Sequence, residues 1–567
     1  MSAYEAFSND FHAYFTADPN VCVNMGVDAR LGDLPDPSPA AGEARVVGAR
    51  ALLARLAAFD RSGLDFEQSL DLDLARLKLE SELLFETYTF NGRTRAQQCP
   101  RAGDEIADGI FLMFINDPRP AAARLENITD RVEKVPAYIE ALLARTDTPI
   151  QRWVDIDVEK VEGLPELFAT VRGWSEQEGW PEHGRLVRAC AAAEAALTDY
   201  LARLKAMPTT TALHLDKDIA AAITRSRGLE PSLDEIHGFA RQFLADIDVT
   251  LNALRDTIAP RYDLPADISL VDLHAFLNDR FKVQIRPGHL EDVLTRYEAE
   301  REKVLAFIKE RDLFPIFENQ DMKILRTPDF MAPSIPAGAM MPPPSFRDGV
   351  RTSMVYLTLS EELLDEHNDL GIPGMMIHEG IPGHHLQLAT ASLHPSIIRR
   401  HFDALEHAEG WTTMLEDYML DQGYMGDLTD EARFIAKRDI ARIGARVAID
   451  LFFMTGDRDY LDVGTGVDVS APDPFVAAGA LLKAVTGFTD GRVQAELNWY
   501  SQERGYPLSY LTGNVLVWRL KADLKAAQAD KLSEIEIDRL FHTIYLQSGN
   551  MPVSYLRKVF ENKGLLA

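Results

Sequence analysis

The chain has 567 residues, 46% of them hydrophobic and 26% charged, ordinary values for a soluble globular protein. Its 88 acidic against 59 basic residues leave a formal charge of −29, which argues against nucleic acid or an anionic membrane as the main partner. The length exceeds what one core fills, so two lobes or subdomains are expected.

The amino terminus, MSAYEAFSNDFHAYF, lacks a basic stretch followed by an apolar one, and no apolar run reaches about 18 residues, the length of a membrane span. Cys22, Cys99 and Cys190 are scattered and odd in number, which fits neither zinc-site spacing nor a disulfide framework. Reduced, buried thiols in a cytoplasmic protein are expected.

Apolar residues at helical spacing predict helices over Ala41–Phe59, Leu70–Tyr88, Leu125–Arg145, Arg185–Met207 and Glu291–Arg311. Ser232 with Glu235, before His237–Ile258, and Ser533 with Glu536, before Ile537–Tyr545, read as capping boxes. Long helices joined by short polar turns point to an all-α architecture. Between Thr327 and Gly349, Pro328, Pro333, Pro336, Pro342, Pro343 and Pro344 exclude regular helix. The next stretch, Thr352–Leu359, is the best strand candidate; it either offers a free edge to an extended peptide or is a buried structural strand. Gly456–Pro474 reads as a loop, either a lid or an exposed excursion.

Chemistry concentrates in Met376-Ile377-His378-Glu379-Gly380-Ile381-Pro382-Gly383-His384-His385 and in Ala408-Glu409-Gly410-Trp411. Two imidazoles and a carboxylate can hold one zinc ion while the Glu beside the first His moves protons. The spacing is unusual, since His384 and His385 follow His378 by six and seven positions rather than four. In a continuous helix six positions leave the second imidazole ~120° off the face of the first, and seven separate them by ~10.5 Å. Pro382 and Gly383 must therefore bulge or break the helix, and a two-residue bulge puts His384 where the second ligand belongs. His378 and His384 are the expected ligands, and His385 a supporting or substrate-facing group. Glu409 is the expected third ligand and Glu416 a partner behind it, with Glu406 and His407 as competitors. Glu379 is the candidate general base. Arg442, Arg446 and Asp450 follow at intervals of four, a series that reads as ion pairing along one helix face. A sharper reading has Arg446, or its rival Arg504, clamping a substrate carboxylate.

These residues resemble the domain-of-unknown-function family 885, whose pattern runs His-Glu-x-x-Pro-Gly-His, then Glu-Gly-Trp, then a late Tyr-x-x-Gly. HEGIPGHHLQ (His378–Gln387) carries the specific part, followed by EGWTTMLEDYM (Glu409–Met419), RGYPLSYLTG (Arg504–Gly513) and FHTIYLQSGNMP (Phe541–Pro552). The family is similar, more distantly, to helical zinc peptidases of the thimet oligopeptidase and angiotensin-converting enzyme type. The resemblance implies an elongated, two-lobed, mostly helical protein with a deep channel and a short β element near the site. Residues 1–320 would form one wall and 321–567 the catalytic region. It implies one zinc ion on His378, His384 and Glu409, Glu379 as acid and base, and Tyr510 as the hydroxyl steadying the oxyanion. The chain departs from many relatives after Asp450, where Leu451-Phe452-Phe453-Met454 lacks an expected His. The implied activity is hydrolysis of short peptides. The alternatives are hydrolysis of a non-peptide small-molecule amide, or a binding protein that keeps the fold without catalysis.

Overall fold

A computed structural model describes residues 1–328, 338–361, 364 and 367–566. Helices dominate, and the all-α class is what the chain adopts. The expected helices occur as Pro39–Ala57, Phe66–Thr87, Ala121–Arg145, His183–Lys205, Leu233–Ile258, Asp292–Arg311 and Glu534–Gln547. Both capping boxes form, and at Ser232 the hydroxyl accepts from the Glu235 amide (3.3 Å) while Glu235 accepts from the Ser232 amide (2.8 Å).

The chain divides into two compact units. The first comprises Met1–Ile219 with the short returns Pro344–Asp348 and Ser396–His401; the second comprises Ala220–Pro343, Gly349–Pro395 and Phe402–Ala567. The division therefore falls near residue 220 rather than between 320 and 321. The cause is the Leu233–Ile258 helix, which packs along the Thr429–Thr455 helix at a crossing where Gly444 lies against Leu244. The first unit is pinned internally by the buried Arg131 guanidinium, which donates to the Leu31 carbonyl (2.7 Å), the Asn20 side chain (2.7 Å) and the Pro19 carbonyl (3.1 Å).

The second unit holds a three-stranded sheet: β1 (Gln320–Arg326), β2 (Gly338–Met341) and β3 (Arg351–Leu357). β3 is the central strand, parallel to β1 from Gln320↔Arg351 to Arg326↔Leu357 and antiparallel to β2 from Gly338↔Leu357. This corrects the free-edge expectation for Thr352–Leu359, because both edges of that strand are paired. The prolines Pro342–Pro344 follow β2, whereas Pro333 and Pro336 lie outside the described residues. Met322, Ile324, Val355 and Leu357 pack with Ile372 and Met376, so the sheet seats the helix that carries His378. Gly456–Pro474 is irregular apart from a short turn at Arg458–Leu461. It closes on itself through Arg458, which donates to the Val469 and Ala471 carbonyls, both at 2.7 Å.

Candidate metal centre

Helix Gly371–Glu379 stops at the motif, and a new helix, His384–Ala391, begins with His384 as its first residue. The expected bulge is thus a full break across Gly380–Gly383. Pro382 has no amide to continue the ladder. A Cβ on Gly383 would lie 2.0 Å from the His378 carbonyl oxygen, so only glycine allows the break to fold this tightly against the end of the first helix. Trp411 donates its indole N–H to the Pro382 carbonyl at 2.9 Å and pins the break from the neighbouring helix, Leu405–Asp421.

His378, His384 and Glu409 converge, with one ligand atom from each lying within 4.8 Å of the others. Glu409 Oε2 is 3.4 Å from His384 Nε2 and 3.7 Å from His378 Nε2. Ligands ~2.0–2.1 Å from a tetrahedral zinc ion stand about 3.3 Å apart, so the three atoms need move only slightly to share one ion. The two rings are nearly perpendicular (84°), with centroids 4.9 Å apart. Glu409 Oε2 is buried without a hydrogen-bond partner, a costly state for a carboxylate that a cation would relieve. The donor set, two imidazoles and a carboxylate, suits zinc.

Charge is arranged to match. His378 Nδ1 pairs with Glu416 Oε1 at 2.7 Å, which fixes the ring and turns Nε2 toward Glu409. Burial alone would lower the His378 pKa, but the Glu416 hydrogen bond and the charges of Glu379, Glu416 and Glu409 outweigh it and raise the value to about 9. Burial would raise the Glu409 carboxyl; the His384 and His378 imidazoles and the Tyr510 hydroxyl reverse this and hold it below its ordinary value. Glu379 sits half-buried beside His378.

Tyr510 is brought to the site by a close helix crossing. A Cβ on Gly410 would lie 2.4 Å from the Gly513 backbone, and one on Gly513 would lie 2.1 Å from the Glu406 carbonyl oxygen. Both glycines are required for helix Ser509–Gln528 to approach Leu405–Asp421 so nearly. Burial, with the nearby Glu409 charge, then raises the Tyr510 phenol pKa well above its ordinary value. Tyr506, which sequence reasoning did not single out, stacks on Tyr510 (centroids 5.9 Å, planes 11° apart). Its four-residue spacing from Tyr510 was the available signal.

Other expected site residues are engaged elsewhere. His385 is buried; Nδ1 pairs with Ser353 Oγ and Nε2 with Gln320 Oε1, both at 2.7 Å. It ties the second motif helix to β1 and β3, and burial lowers its pKa to about 4. Arg446 donates to Glu496 (2.9 Å) and to the Tyr500 hydroxyl (2.9 Å), and Arg442 pairs with Asp439. The anticipated pairing along that face is therefore replaced by partners on and off the helix, and Arg446 is engaged by Glu496 and Tyr500. Arg504 is only 1% exposed, and its charge acts on the buried Asp450 carboxyl. Glu406 accepts from the Val553 amide (3.1 Å), and the His407 ring packs on Tyr545 (4.2 Å), so neither joins the ligand group.

The chain belongs to the family described as "Bacterial protein of unknown function (DUF885)", which it matches over residues 19–559. It is similar to a solved "putative lipoprotein of unknown function" from Shewanella oneidensis, with 17% identity and a TM-score of 0.77 over 99% of this chain and 100% of that one. A "putative lipoprotein" structure from Colwellia psychrerythraea gives 15% identity and a TM-score of 0.78, covering 100% and 99%. Both share the fold. No curated protein matches the chain. Among the described residues no helix is long and apolar enough to cross a membrane.

Proposed function

We propose that this protein is a metal-dependent peptidase that hydrolyses short peptides. The observation that carries the reading is the convergence of His378, His384 and Glu409, with Glu379 beside the first ligand and Tyr510 near enough to the third to feel its charge. A zinc ion held there would supply Lewis acidity and an activated water at neutral pH. Glu379 accepts the proton of the attacking water and delivers it to the leaving amine. Tyr510 donates toward the substrate carbonyl oxygen as negative charge builds on it. Glu416 keeps the His378 ring oriented throughout. A cytoplasmic location is part of this reading, supported by three buried cysteines outside any disulfide.

The test is exposure of the zinc-supplied, full-length protein to a mixed library of short peptides, with new amino termini as the readout. Cleavage that stops on chelation and returns with zinc is expected. An untouched library under those conditions overturns the reading.

A further inference from the structure

Asp450 is fully buried, and each of its carboxylate oxygens accepts a backbone amide: Oδ1 from Gly505 and Oδ2 from Leu508, both at 3.1 Å. Those amides belong to the turn that leads into helix Ser509–Gln528, whose second residue is Tyr510. Gly505 holds a positive φ of 76°, a conformation that needs external fixing to stay unique. One helical turn before Asp450, the Arg446 guanidinium lies 4.5 Å from the centre of the Tyr510 ring. Arg446 is itself anchored by Glu496 and by the Tyr500 hydroxyl, which also donates to Glu496. Two groups four residues apart on one helix face thus act near the same tyrosine, one through the turn that precedes its helix and the other through its ring.

We propose that Arg446 and Asp450 are positioning residues for Tyr510, setting where its hydroxyl points relative to Glu409. The inference rests on Tyr510 being the donor to the substrate carbonyl, as proposed above. Asp450 fixes the start of the helix, and Arg446 fixes the ring by cation–π contact. Neither residue touches substrate.

The experiment installs 3-fluorotyrosine at position 510 of the full-length, metal-free protein and follows its single fluorine NMR line. The variants are Asp450→Asn and the charge-balanced pair Arg446→Met with Glu496→Gln. Each is expected to shift or broaden the line while circular dichroism remains that of a folded protein; a line unmoved in the folded variants overturns the proposal. If one variant fails to fold, the other decides. Turnover supplies a second readout in a double-mutant cycle. Asp450→Asn should lower kcat at least about tenfold in the parent, but by less than about twofold in a Tyr510→Phe background. Equal losses in both backgrounds indicate a merely structural role and overturn the proposal. Should the parent cleave no peptide, the functional reading falls, while the fluorine line still decides the positioning.

Discussion

At the scale of single residues, the site separates groups that hold a metal from groups that move protons. Glu379→Gln changes only the proton carrier, so it should keep the metal and lower kcat by about 10²–10⁴-fold, measured on protein of verified metal content. Glu416→Ala leaves all three ligands in place but frees the His378 ring. A loss of metal affinity of about 10–100-fold is expected in competition with a chromophoric chelator. The raised His378 pKa gives a pH dependence with a definite sign. In the metal-free protein its stabilising contribution is complete below about pH 6.5 and is lost as pH rises through about 9. Metal competes with that same proton, so affinity should climb across this window; a flat affinity profile would show that His378 is not a ligand. The sequence supported His384 over His385 because a broken helix was the only way to reconcile the spacing. It gave no sign that His385 would be held at both nitrogens by Ser353 and Gln320, since those partners are distant in the chain.

At the scale of elements, the motif glycines turn out to concern packing. Gly410 and Gly513 mark the crossing of two helices, and the indole of Trp411 holds the break between the two histidine helices. Gly513→Ala would drive a methyl into the Glu406 carbonyl, so a loss of about 1–3 kcal/mol is expected in urea unfolding. Gly491→Ala, in helix Asp490–Gln502 with open space around the position, should be neutral or slightly stabilising in the same assay. Helices such as Ala121–Arg145 were legible because their apolar periodicity is a local signal. The strand beginning at Arg351 was legible from its composition, but its central place was not. Its neighbours β1 and β2 are short and mixed in composition, so nothing local announced the pairing.

At the scale of the whole molecule, length argued for two parts, and the boundary between them falls near residue 220 rather than at 320. The Leu233–Ile258 helix reads like the helices before it, and its attachment to Thr429–Thr455 depends on a contact between Leu244 and Gly444 that no local pattern reveals. The metal ligands all lie in the second unit, on elements seated against its sheet and its helix crossing. A ligand that binds only the folded form raises stability by RT ln(1 + [L]/Kd), or about 2.7 kcal/mol at a hundredfold excess over Kd. Zinc should therefore raise the Tm of the chain, and a chelator should reverse the rise. The most direct test of the account is the metal content of the full-length protein after equilibration with zinc and removal of the free ion, compared with that of Glu409→Gln. One ion per chain in the parent and a large loss in the variant are predicted. A parent without metal, or a variant that retains it fully, would contradict the assignment of His378, His384 and Glu409.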